Sequence, residues 1–277
     1  MASYECILVD SPLPAVRRVT LNRPQKRNAL NNRLRTEILQ ALEDADRDPD
    51  VRVSILRGAG TCFSAGYDLG SDNTKDQPYY SADGAGQWAR HVIEGSFRIW
   101  DLAKPVIAQV HGYCLAGGSE LATACDLVYV AEDAQIGYPP VRLMSPPDMQ
   151  FHPWLMGMRD AMEMMLTGDA LSGVEAAEKG FANRAFPTAE LEQRVLEIAE
   201  RAAKIPTELQ QINKRSVHRA MEIKGVRAAI RAGTELQALA FTTKSTRDYL
   251  KELGKGVRQA LSLRDKGFGD YRERENS

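Results

Sequence analysis

The sequence predicts an α/β fold with a helical C-terminal quarter, and three observations carry that prediction. Short β-branched runs at residues 53–58 (VSILRG), 105–110 (PVIAQV) and 126–131 (DLVYVA) have the length and apolar content of buried strands. Stretches with apolar residues at helical spacing separate them, which implies crossover connections rather than hairpins. From residue 189 onward the pattern is almost entirely helical. The expected organisation is an α/β core over residues 1–200 and a helical region over residues 201–277.

The chain has 277 residues, 43% hydrophobic and 26% charged, which is ample for a sizeable core. A net charge of -1, with neither a basic stripe nor an acidic tail, argues against a nucleic-acid or membrane-surface role. The opening MASYECILVD has neither the basic start nor the unbroken apolar run of a secretory signal, so the expected compartment is the cytoplasm. Cys6, Cys62, Cys114 and Cys125 form no C-x-x-C pair, and the histidines are dispersed, so no disulfide framework and no metal are expected.

In chain order, residues 4–21 read as two strands around a turn at 11–14, the second alternating Val16, Val19 and Leu21 with polar positions. Pro24 stops that strand, and Asn31 or Asn32 can cap a helix with Leu34, Ile38, Leu39, Leu42 and Ala45 on one face. Lys26 and Arg27 stand in the intervening loop, where two cations serve solubility as readily as they meet a phosphate. The run at 53–58 leads into AGTCFSAGYDLG, whose Ala65 and Gly66 leave backbone N–H groups accessible at a strand end. Residues 71–86 read as an irregular, mobile surface loop. The helix after it, over about 87–102, carries core aromatics, with Trp88 and His91 nearest to any pocket.

Residues 111–126, HGYCLAGGSELATACD, join a strand exit, a glycine pair and a carboxylate. Gly117 and Gly118 expose the backbone, and the first turn of the following helix has N–H groups without intrahelical partners. Such donors can hold a developing negative charge, with Glu120 one turn in as a proton carrier. Locally, the same pattern also fits a helix that simply starts there. Residues 139–157 hold five of the thirteen prolines and exclude regular helix before about Trp154. Ser172 and Glu175 form a capping box, and Gly180 ends that helix.

LNRPQKRNALN, CFSAGYDL, HGYCLAGGSELATACDLVYVAEDAQIG and MLTGDALSGVEAAEKGFANRAFP, in this order, resemble the enoyl-CoA hydratase/isomerase (crotonase) superfamily. The resemblance implies a spiral of ββα units with a C-terminal helical trimerisation region, as a homotrimer or a hexamer built from two trimers. It implies an acyl-CoA thioester as substrate, coenzyme A as part of that substrate, and no tightly bound cofactor. The shared chemistry is stabilisation of a thioester enolate by two backbone N–H groups, here implied at Ala65 and Gly117. Glu120 takes the place of the first catalytic glutamate of the hydratases. Their second glutamate is replaced by Pro140, which cannot move a proton. Asp148, eight residues on, matches a functional aspartate of dienoyl-CoA isomerases and 4-chlorobenzoyl-CoA dehalogenases, although a loop aspartate capping the helix beside it fits equally well. His152 is a further proton-transfer candidate. Coenzyme A contacts are implied for Lys26, Arg27, Ala29, Asp68 and Leu69, and for Lys266 and Phe268. Water addition to a 2-enoyl-CoA is the expected reaction, with an enoyl- or dienoyl-CoA isomerase, an acyl-CoA hydrolase or a non-catalytic acyl-CoA binder as alternatives.

Overall fold

The computed structural model describes residues 4–72, 75–84 and 86–269. The chain opens with β1 (Ile7–Leu13) and β2 (Val16–Leu21), paired antiparallel across a turn at Pro14 and Ala15 that is tighter than the 11–14 turn read from the sequence. Helix α1 (Asn32–Arg47) follows, with Asn31 as its cap: the Asn31 side chain accepts from the Leu34 N–H. Then come β3 (Val53–Gly58), α2 (Gln87–Trp100), β4 (Val106–Val110), β5 (Tyr113–Leu115), α3 (Gly117–Thr123), β6 (Leu127–Ala131) and β7 (Gln135–Gly137).

Beyond the 3₁₀ turn Pro139–Arg142 lie α4 (His152–Leu155), α5 (Met158–Thr167), β8 (Leu171–Ser172), α6 (Gly173–Glu178), β9 (Arg184–Phe186) and α7 (Leu191–Ala203). The capping box at Ser172 and Glu175 forms in both directions. Four helices end the described chain: α8 (Thr207–Ile223), α9 (Val226–Ala240), α10 (Lys244–Lys255) and α11 (Val257–Asp265). Among the described residues, no helix is long and apolar enough to cross a membrane.

One six-stranded sheet runs in the order β1-β2-β3-β4-β6-β9, parallel from β2 onward. The central strand β4 is buried along its whole length and β3 and β6 nearly so, because both faces of the sheet are covered, as in a parallel sheet with crossover helices. Helix α7 packs on β3, β4 and β6, and α1 on β1 and β2. A small second sheet, β5-β7-β8, carries the strand exit that leads into α3. The main core joins Leu34, Ile38, Ile55, Leu56, Phe63, Ile93, Phe97, Ile107 and Phe151. The C-terminal helices fold back onto this body: α9 lies on α2, and the Thr246 hydroxyl donates to the Met144 carbonyl at 2.6 Å.

The segment at 71–86 differs from a free surface loop. Residues 73, 74 and 85 lie outside the described residues, but the rest is tied to α1 and α2. Asn32 Nδ2 donates to the Lys75 carbonyl at 2.6 Å, and Gln87 Nε2 to Ser81 Oγ at 2.7 Å. Tyr79 stacks on His91 with ring centroids 4.4 Å apart and donates its hydroxyl to the His91 carbonyl. An aromatic ring and two amides on neighbouring helices thus give the loop partners that its own polar sequence does not announce.

Candidate active site

Two loops expected to carry exposed backbone meet in the fold. Ser64 pairs with Cys114 in a parallel bridge, Ser64 N–H donating to the Tyr113 carbonyl and Leu115 N–H returning to the Ser64 carbonyl, each at 3.0 Å. The approach is close enough to demand glycine. Gly66 has φ +101, and a Cβ there would lie 2.9 Å from both Ala116 Cβ and the Leu115 carbonyl oxygen. A Cβ on Gly117 would lie 2.6 Å from the Tyr67 ring carbons Cε2 and Cζ.

Ala116, the residue between strand β5 and helix α3, has φ 50 and ψ -124. A residue with a side chain is strained there, at about 1–3 kcal/mol. The strain is held by the Ala116 N–H on the Gly137 carbonyl at 2.9 Å, and by the Ser119 hydroxyl and Glu120 N–H on the Ala116 carbonyl at 2.8 and 3.1 Å. The backbone therefore turns sharply just before Gly117. Among the described residues, the Gly117 N–H has no acceptor, as expected for the first residue of a helix.

The expectation for Ala65 is corrected. Its N–H donates to the Arg27 carbonyl at 3.0 Å and is engaged within the loops. The N–H two residues on, at Tyr67, has no acceptor among the described residues. Tyr67 bridges to Leu30 on one side, with Leu30 N–H on the Gly66 carbonyl and Asp68 N–H on the Leu30 carbonyl. This leaves its own N–H directed away from that bridge.

Glu120 is fully buried. The Tyr67 hydroxyl donates to Oε2 at 2.6 Å and the Met149 N–H to Oε1 at 3.1 Å. Burial raises its proton affinity, and those two donors, with the Tyr138 hydroxyl and the Asp148 N–H, hold it down. Burial prevails and Glu120 is raised; Asp148, 3% exposed, is raised further. Burial and then the Glu120 charge push its carboxyl well above the ordinary carboxylate range, against a hydrogen bond from Trp88 and the more distant Arg35. Its Oδ1 is buried without a partner. Both carboxyls are thus raised, Asp148 the more strongly, and the two titrate as a pair.

The aromatic frame of the pair was not legible as such. Tyr67 meets Trp88 edge to face at 5.3 Å, and the Arg35 guanidinium lies over Trp88 at 5.2 Å from the ring centre. Trp88 is therefore at the site, in line with its placing near a pocket, whereas His91 is packing: it is fully buried, stacked on Tyr79, with both ring nitrogens unpartnered. His152 is likewise fully buried, against Phe181 and Tyr138, and burial alone lowers its pKa to about 4. A neutral imidazole without a partner does not replace a carboxylate. A cavity of about 40 Å³ adjoins Gly117 and Tyr67 and runs between α1 and α2, past Leu121, Val92, Ile99 and Arg35.

The other expected contact residues lie on the surrounding loops. Lys26 and Arg27 are exposed, in and just after the 3₁₀ turn Pro24–Lys26, with Arg27 5.7 Å from the Tyr113 ring centre. Asn28 fixes that loop: its buried Nδ2 donates to the carbonyls of Ala59 and Cys62, both at 2.8 Å. Asp68 is ion-paired to Arg23 at 2.9 Å with both side chains largely buried, so it braces the loop. Ala29 is half-buried, its carbonyl accepting from Arg23, and Leu69 is 38% exposed. Lys266 is exposed at the end of α11, and Phe268 lies against Arg142, whose guanidinium is 3.8 Å from its ring centre. Pro140 sits in the 3₁₀ turn, its carbonyl accepting from Met144 N–H at 2.8 Å, and Tyr138 just before it supplies the hydroxyl aimed at Glu120. Among the described residues, no cluster of His, Cys, Asp and Glu could hold a metal ion.

Residues 14–265 match the model of the family described as enoyl-CoA hydratase/isomerase. The chain belongs to this family. A Mycobacterium tuberculosis protein named as an enoyl-CoA hydratase is 36% identical over 76% of this chain and 73% of its own length. The mitochondrial enoyl-CoA hydratase of Pongo abelii is 33% identical over 83% of this chain and 77% of its own. The crystal structure of an enoyl-CoA hydratase from Mycobacterium smegmatis superposes with a TM-score of 0.88 at 30% identity, covering 97% of this chain and 96% of that one. The α/β fold with its helical C-terminal region is therefore that of the family.

Family membership makes Gly117 the position to test first. Gly117→Ala places a methyl group where the Tyr67 ring stands, so the ring must move and its hydroxyl must leave Glu120. Alanine keeps the N–H but shifts it with the helix start, so a fall in kcat of about 10²-fold is expected, comparable with a misplaced backbone donor. Steady-state kinetics with an enoyl-CoA checks it, with circular dichroism as the control for folding.

Proposed function

We propose that this chain is an enoyl-CoA hydratase in which Glu120 and Asp148 divide the proton transfers. The observation that carries the reading is the buried carboxyl pair, Glu120 and Asp148, beside the two open N–H groups of Gly117 and Tyr67. The thioester oxygen accepts from those two N–H groups. Glu120 carboxylate takes a proton from water as the water oxygen bonds to C3. The C2–C3 π electrons pass to an enolate whose oxygen the N–H pair stabilises. Asp148 gives its proton to C2, and the proton on Glu120 then returns to Asp148. The net change is addition of one water across the double bond.

Lys26 and Arg27 suit the coenzyme A phosphates, as exposed cations on the loop whose Arg27 carbonyl holds Ala65. Ala29 and Leu69 suit the adenosine, with Asp68 acting through Arg23, and Lys266 and Phe268 are the C-terminal candidates. Association into a trimer or hexamer is supported by exposed apolar side chains on the last helices, Leu209, Ile212 and Val217 on α8 and Leu236 and Leu239 on α9.

Double-bond isomerisation is the second reading. Pro140 at the place of the hydratases' second glutamate favours it, as do the protein hydrogen bonds already made to both Glu120 oxygens. Crotonyl-CoA separates the two: hydration removes the enoyl absorbance and yields 3-hydroxybutyryl-CoA, and isomerisation yields no hydroxyl product. Tight binding of enoyl and dienoyl thioesters without turnover of either would instead identify a non-catalytic acyl-CoA binder.

A further inference from the structure

We infer that the cavity beside Gly117 is built for a short acyl group ending in a carboxylate, and that Arg35 receives that carboxylate. This rests on the acyl-thioester reading above and names its substrate class. Walls from Ile38, Leu39, Val92, Ile99 and Leu121 are apolar, and among the described residues Arg35 is the only charged one lining the cavity. It projects from the first turn of α1, held by Trp88 beneath its guanidinium. Its hydrogen bonds go to neutral acceptors: Nη1 to Asn32 Oδ1 at 3.0 Å and Nη2 to the His91 carbonyl at 3.5 Å.

Most other partly buried arginines of this fold have a carboxylate, Arg52, which donates to the Ala203 carbonyl at 2.9 Å, being an exception. Arg23 pairs with Asp68, Arg18 with Asp10, and Arg142 with Asp265. Among the described residues none lies within ion-pair distance of Arg35. An apolar acyl tail would strip the water from a guanidinium between apolar walls without replacing it. A carboxylate would restore the pairing bidentately. The size agrees: 40 Å³ holds roughly three water-sized groups. This is short for a fatty acyl chain and adequate for a carboxylate with its methylene.

The competing role for Arg35 is electrostatic support of Asp148, whose proton affinity it lowers. The two roles separate in kinetics. Glutaconyl-CoA and crotonyl-CoA should be compared as substrates of the wild type, Arg35→Met and Arg35→Lys. The wild type is expected to favour glutaconyl-CoA in kcat/KM, and Arg35→Met to lose that preference by about 10- to 100-fold, mainly through KM. Arg35→Lys should keep part of it. Equal losses on both substrates, or no preference in the wild type, would overturn the inference. Calorimetric binding of glutaryl-CoA and butyryl-CoA to the wild type needs neither a variant nor turnover. Glutaryl-CoA binding tighter by about tenfold or more upholds the carboxylate site even if no enoyl-CoA is hydrated, so the inference and the hydratase reading fail separately. Equal binding of the two sinks the carboxylate site.

Discussion

Glu120→Gln is expected to lower kcat for crotonyl-CoA by about 10²- to 10⁴-fold, the range of a lost general base, while the fold is retained. The fold is kept because glutamine can satisfy the same partners. Its oxygen accepts from the Met149 N–H, which is fixed in direction, and its amide donates to the Tyr67 oxygen, whose hydroxyl is free to rotate. The loss is chemical because an amide cannot take a proton from water. Removing a fully buried charge also costs no stability, so the melting temperature should hold or rise. Stopped assays at saturating substrate, with the melting curve alongside, test both halves. Retention of more than about a tenth of wild-type kcat would exclude Glu120 as the proton carrier.

The glycines were legible in the sequence because their role is local. A glycine pair after a buried strand says that backbone is approached closely, and Gly66 and Gly117 are indeed where a Cβ would collide. Which N–H groups are open is not local. Ala65 and Tyr67 sit in one loop, and only the Arg27 carbonyl, far back in the chain, engages one and leaves the other. The same holds for Tyr67 as a partner of Glu120, 53 positions away, and for Tyr138 beside it, whereas Trp88 was placed near a pocket by its position after the 71–86 segment. Asp148 was legible by resemblance alone, since its loop is proline-rich and without periodicity. The structure gives that loop its meaning: it turns the Met149 N–H onto Glu120 and buries the neighbouring carboxyl. His91 and His152 show the converse, side chains of suitable chemistry that the fold uses as rings.

Asp148→Asn separates the two carboxyls and is expected to lower kcat by about 10²- to 10³-fold while stabilising the protein at neutral and alkaline pH. Asparagine imitates the neutral acid in shape: its oxygen accepts from Trp88 and its amide takes the place of the unpartnered Oδ1, but it has no proton to give to C2. The stability effect has a defined sign. In the fold the Asp148 carboxyl titrates well above its ordinary value of 3.8. Its contribution is thus fully present below that value and is lost as pH rises through the folded pKa. The asparagine variant has no such loss, so its advantage over the wild type should be small near pH 4 and grow with pH. About 1 kcal/mol, or roughly 2–4 °C in melting temperature, is the expected scale. The rate profile should change in the same window. Wild-type kcat/KM falls on the acid side as Glu120 gains a proton and on the alkaline side as Asp148 loses its own, and the alkaline limb should vanish in the asparagine variant. A variant that loses rate yet keeps that limb would place the alkaline ionisation on another group, with Tyr67 and Tyr138, both raised by burial beside Glu120, the nearest to examine.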